Sequence, residues 1–154
     1  MPEGGKECQD NKVKPLSTHL KEKEEKLKEI LGHLAEEASK NTPIIVEGKN
    51  DVGSLTALEI QGKIISAKSG GKSLLDVINE IRETEAQEVV LLFDFDRRGK
   101  EWTQRLKQLL EREHIAPNTT YWRELHGIVG KEVKDVEGLV SYMETLKRKI
   151  SSNS

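Results

Sequence analysis

Apolar positions fall into two rhythms along this chain. From Leu16 to Lys40 they recur at helical spacing, with Leu20, Leu27, Leu31, Leu34 and Ala38 on one face. Ser17 or Thr18 can cap the start, and Glu22–Lys26 and Glu24–Lys28 form favourable i,i+4 pairs on the opposite face. This stripe is narrow. It can pack on the rest of the domain, or it can serve a protein partner or self-association through residues 17–40. Residues 1–16 are polar with two adjacent glycines and predict a disordered tail, and residues 151–154 form a short tail at the other end.

After residue 42 the pattern alternates between short apolar runs and amphipathic stretches. Pro43–Val46, Lys63–Ser66 and Val89–Phe93 read as strands, and Pro117-Asn118 as a turn into a fourth strand near Thr119–Arg123. Between them, a short helix runs from Asn50 or Asp51 to about Ile60. Ser73 opens another, bearing Leu74, Val77, Ile78 and Ile81. Trp102, Leu106, Leu109 and Leu110 mark a third. Asp135 caps a last helix carrying Leu139, Val140, Met143, Leu146 and Ile150. This alternation predicts an α/β domain over residues 42–150. It would be a parallel sheet of about four strands flanked by helices, with a helical extension at the N-terminal side. Val89–Phe93 is apolar throughout, so it belongs in the middle of the sheet, covered on both faces. Sheets of this kind place ligands at the carboxyl ends of their strands.

Composition narrows the function classes. Of 154 residues, 34% are charged and 34% apolar, enough for a core beneath a heavily charged surface. Val89–Phe93 is the longest apolar run, far short of the roughly 18 residues a membrane helix needs. The N-terminus shows no apolar signal region, and Cys8 is the single cysteine. One cysteine excludes a disulfide framework or a cysteine-based zinc site within the chain. A cytoplasmic protein with no membrane partner is expected. The net charge of −2 is spread evenly and argues against nucleic-acid binding by bulk electrostatics. Any such site must be local, or use a metal to offset its carboxylates.

The candidate chemistry sits at two strand ends. The first strand ends in Glu47-Gly48-Lys49-Asn50-Asp51, and the third in Asp94-Phe95-Asp96-Arg97-Arg98-Gly99. In extended chain Asp94 and Asp96 lie on the same side, so both could share a hard cation. Glu47, from a strand that could lie beside the third, could act as general acid or base or as another metal ligand. Gly48 and Gly99 leave room for a phosphate backbone, and Lys49, Arg97 and Arg98 can offset its charge. Asp51 and Asp135 read first as helix caps and second as additional site members.

Together, Val46-Glu47-Gly48-Lys49-Asn50-Asp51 and Phe93-Asp94-Phe95-Asp96-Arg97-Arg98-Gly99 resemble the TOPRIM domain of topoisomerases, bacterial-type primases, OLD-family nucleases and ribonuclease M5. The wording is most similar to ribonuclease M5 and the small stand-alone TOPRIM proteins of archaea and bacteria. The resemblance implies a Rossmann-like TOPRIM fold. It implies Glu47 as general acid or base, and Asp94 and Asp96 as ligands of magnesium, or of manganese. The implied activity is metal-dependent phosphoryl transfer of nuclease type on RNA or DNA. The alternatives are a non-catalytic module that binds nucleic acid or nucleotide in a larger complex, and a primase-like nucleotidyltransferase. Arg98 stands where topoisomerases generally carry a third acid.

Weaker signals remain. Ser69-Gly70-Gly71-Lys72-Ser73 lacks a full P-loop pattern, since Ser66 stands where glycine is needed, yet Lys72 could meet a phosphate. His19, His33, His114 and His126 show no ligand spacing. Trp102, Tyr121 and Trp122 read as packing or rim residues.

Overall fold

The computed structural model describes residues 16–153. Residues 1–15 and 154 of the expected tails, and Cys8 with them, lie outside the described residues. Helix α1 spans Leu16–Ser39, starting just before its expected caps. Then follow β1 (Ile44–Val46), α2 (Lys49–Ala57), β2 (Ile64–Ser66), a 3-10 turn (Ser69–Gly71) and α3 (Leu74–Glu83). The chain continues through β3 (Glu88–Leu92), α4 (Arg97–Arg112), β4 (Ala116–Asn118), α5 (Thr120–Val129) and α6 (Val136–Asn153). The last helix runs three residues beyond the expected end at 150.

The four strands form one parallel sheet in the order β2-β1-β3-β4. Alternation along the two central strands divides the core. Ile44, Val46, Val90 and Leu92 face a layer made by α1, α2, α5 and α6. Ile45, Val89, Leu91 and Phe93 face α3 and α4. Both faces are therefore covered, which is why β3 reads as an unbroken apolar run. In β1 and β3 the register sets Val46 beside Leu92, so the two strands end level with one another. The chain leaves β1 towards β2 on one side and resumes at β3 on the other. The crevice between the ends of β1 and β3 is thus the sheet's topological switch point.

The structure selects one of two alternatives for α1 and moves the fourth strand. The apolar stripe of α1 is used inside the domain: Leu27, Leu31, Leu34 and Ala38 are buried against α5 and α6 and are not presented to a partner. Each fully buried leucine stabilises by about 1.5–3 kcal/mol, and without α1 one sheet face would lose part of its cover. The fourth strand lies earlier than expected, and Thr120–Val129 is a helix. Trp122, Leu125 and Val129 recur at helical spacing and are all buried. Pro117 fits in β4 because β4 is an edge strand with one paired side. Ala116 donates its N–H to Gln87 O at 2.8 Å, so the alternating Pro117 nitrogen points to the open edge.

Helix starts follow local chemistry. The Ser73 hydroxyl accepts from Asp76 N at 3.2 Å, and Asp135 Oδ1 accepts from Gly138 N at 2.6 Å. Helix α2 starts earlier than expected, with Gly48 as its cap residue, and it ends at Ala57.

Candidate functional site

The switch-point crevice holds a cleft of about 320 Å³. Its walls carry five carboxylates, Glu47, Asp51, Asp94, Asp135 and Glu137, against two ammonium groups, Lys49 and Lys68. Glu47 is the first residue after β1 and Asp94 the second after β3. Glu47 Oε2 accepts from Lys68 Nζ at 3.1 Å, while Glu47 Oε1 is buried with no hydrogen-bond donor as long as Asp94 is ionised. Asp51 is buried in the first turn of α2, where its Oδ2 accepts from Gly48 N at 3.0 Å. Asp135 stands at the start of α6, and Glu137 in its first turn.

Burial and the crowding of like charges both act on the acids of this cleft. The Asp94 carboxyl is pushed up to about 7, first by burial, then by the negative charge of Glu47 and Asp51, a hydrogen bond with Glu47, and Asp135. Burial also raises Asp51. The Gly48 N–H opposes that shift, while Asp135, Glu47 and Glu137 reinforce it. A proton on Asp94 is one way to relieve the cluster; a cation is another.

The backbone beside Asp94 is held from three directions. The Trp122 indole N–H donates to Phe93 O at 2.9 Å and to Asp94 O at 3.2 Å. Phe95 N donates to Lys134 O at 2.6 Å, which ties the loop bearing Asp135 to the end of β3. Gly99, in the first turn of α4, packs so closely that a Cβ would overlap the Asp94 carbonyl. Phe95 is buried beside Trp122, with ring centroids 6.1 Å apart, and Trp122 stacks on His126 at 5.0 Å.

Several expected site residues lie elsewhere. Asp96 is exposed and caps α4, its Oδ1 accepting from Gly99 N at 2.8 Å. The strand has already ended at Leu92, so strand alternation does not set how Asp96 stands relative to Asp94. Arg97 and Arg98 are exposed in the first turn of α4, and Arg97 pairs with Glu101 at 3.6 Å. Lys72 turns away from the cleft to donate to Ser66 O at 3.0 Å and to pair with Glu80 at 2.7 Å. Gly70 and Gly71 both have positive φ, a reversal that glycine tolerates and that redirects the chain before Lys72. Lys68, Glu137 and Trp122 are the residues that local sequence patterns did not assign to the site. Of these, only the helical spacing of Trp122, Leu125 and Val129 was visible in the sequence.

Among the described residues, no three His, Cys, Asp or Glu side chains are already drawn together as a metal-ligand set. The cleft nonetheless offers hard oxygen donors in charge excess and one buried oxygen without a donor. That set suits a hard divalent cation, which commonly takes one or two carboxylates and completes its shell with water. No helix among the described residues is long and apolar enough to cross a membrane.

Comparison with known proteins bears on the same region. The Toprim domain model matches residues 42–122. The UPF0292 protein MJ1624 of Methanocaldococcus jannaschii is 37% identical over 120 residues, covering 77% of this chain and 91% of that protein. A UPF0292 protein of Methanosarcina acetivorans is 34% identical over 125 residues, covering 81% of this chain and 85% of that protein. A solved structure of an Aquifex aeolicus protein matches with a TM-score of 0.59 at 28% identity, over 71% of this chain and 94% of that one.

Proposed function

The chain belongs to the Toprim domain family, and from that premise we propose that its cleft performs divalent-cation-dependent phosphoryl transfer, of nuclease type, on RNA or DNA. The observation that carries this reading is the buried Glu47 oxygen without a donor, set beside a carboxyl raised to about 7 in a cleft of five acids. Asp94, and Asp96 through the oxygen its cap leaves free, would hold magnesium or manganese. Bound there, the ion supplies neutralisation of phosphate charge and stabilisation of the attacking or leaving oxygen. Glu47 holds or moves the proton at its carboxylate. Lys49 faces the cleft and offsets substrate charge, while the exposed Arg97 and Arg98 extend that role to the flanking backbone. Gly48 and Gly99 keep the strand ends free of side chains. Asp51 and Asp135 add negative charge around the ion. Lys72, engaged by Ser66 and Glu80, takes no part.

The test is a panel of RNA and DNA substrates with and without magnesium, comparing wild type with Glu47→Gln and Asp94→Asn. Loss of a general acid or base costs about 10²–10⁴ in rate. Both variants should fall by that order while remaining folded. Cleavage unchanged in both would overturn the assignment.

A further inference from the structure

We infer that Lys68 is the internal counter-ion of the cleft, a positioning residue whose ammonium engages Glu47 and competes with a divalent cation for that carboxylate. This rests on the reading that the cleft takes such a cation. The placement is dictated by the sheet. Beyond the formal strands Ala67 N extends the β1–β2 ladder by donating to Val46 O at 2.9 Å, and the chain then bends so that the next amide, Lys68 N, donates to Glu47 O at 3.0 Å. Lys68 is therefore held beside Glu47 by a backbone hydrogen bond before its side chain is considered. Its Nζ then reaches Glu47 Oε2 at 3.1 Å.

A second contact fixes the same ammonium. Lys68 Nζ lies 4.7 Å from the centroid of the Trp102 ring, whose face attracts a cation. Trp102 is in turn seated against Phe93, with ring centroids 6.2 Å apart. The Lys68 and Glu47 side chains are only 25% and 16% exposed, so water screens the pair less than a surface ion pair. Held this way, Lys68 satisfies one oxygen of Glu47. A cation that recruits Glu47 must work against a positive charge already in place. Lys72, four residues on, has no such role, because Ser66 O and Glu80 hold it away from the cleft.

The experiment is Mn²⁺ binding to the full chain at fixed ionic strength, read by the electron paramagnetic resonance of the free ion. Lys68→Met and Lys68→Gln should each bind Mn²⁺ about tenfold more tightly than wild type, the effect of removing one positive charge a few ångströms from a divalent ion in a partly solvated cleft. Lys68→Arg, which keeps the charge, and Lys72→Met, which lies outside the cleft, should both stay near the wild-type affinity. A gain in affinity cannot come from partial unfolding, and two neutral replacements guard against one that fails to fold. Wild-type binding with equal or weaker binding in both neutral variants would overturn the role of Lys68 and leave the cation reading standing. If neither wild type nor any Lys68 variant binds Mn²⁺ at millimolar concentration, the cation reading falls and this inference falls with it.

Discussion

Replacing Asp94 by asparagine isolates the electrostatic cost stored in the cleft. In the folded chain the Asp94 carboxyl is raised from its ordinary value of 3.8 to about 7 by burial and by Glu47, Asp51 and Asp135. Below about pH 4 the carboxyl is protonated in folded and unfolded chains alike, and it contributes no difference. As pH rises from there towards 7 the unfolded chain gives up its proton and the folded chain keeps it, so stability falls across this window. Above 7 the full penalty stands. About three decades of proton affinity set a ceiling of about 4 kcal/mol. The carboxyl is only partly buried, and screening by water brings the expected penalty to about 1–2 kcal/mol. Asp94→Asn cannot ionise. Its melting temperature, measured relative to wild type, should therefore rise by about 2–8 °C between pH 4.5 and pH 8, at about 2–4 °C per kcal/mol for a chain of this size. Magnesium at millimolar concentration should recover part of the deficit in wild type at pH 8 by binding the folded state, and should do less for the variant. Scanning calorimetry or fluorescence melting at both pH values is sufficient. Parallel pH profiles for the two proteins would refute the charge-crowding argument.

Other substitutions test the scaffold. Gly99→Ala forces a Cβ into the Asp94 carbonyl and should destabilise by about 1–3 kcal/mol in chemical denaturation, with cleavage lost as well. Trp122→Phe leaves the Phe93 and Asp94 carbonyls without their indole donor. Denaturant titration should show a loss of about 1–3 kcal/mol, and amide NMR shifts should concentrate at residues 93–99. Leu34→Ala should cost about 2–5 kcal/mol by the same measurement, whereas a partner-docking helix would lose almost nothing. Leu75→Ala, at a 69% exposed position, should stay within about 0.5 kcal/mol of wild type.

The α/β alternation and the chemistry-bearing strand ends were legible because both rest on local patterns. Val89–Phe93 announces a doubly covered strand, and Glu47 and Asp94 are the polar residues that interrupt apolar runs. The misreadings arise where tertiary context decides. Thr119, Thr120, Tyr121 and Trp122 all have high β-propensity, yet burial of Trp122, Leu125 and Val129 against the sheet makes the segment helical. Asp96 lies past the end of β3 at Leu92, so its place comes from the turn into α4, where it caps the helix, and not from strand alternation. Lys68 had no local signature at all. Its place beside Glu47 comes from the pairing of β1 with β2 and the bend that follows β2, which a reading of one chain segment at a time does not contain.

Pro117 has a consequence for how molecules of this protein meet one another. A three-residue strand at the border of a sheet offers its outward amides as a template on which another chain can lay a strand, the first step towards aggregation. Here the outward position of β4 is a proline, which has no N–H to give. An incoming strand would find no donor at the middle of that border. The same ring that obscured β4 in the sequence therefore closes the sheet at four strands and discourages edge-to-edge growth from that side.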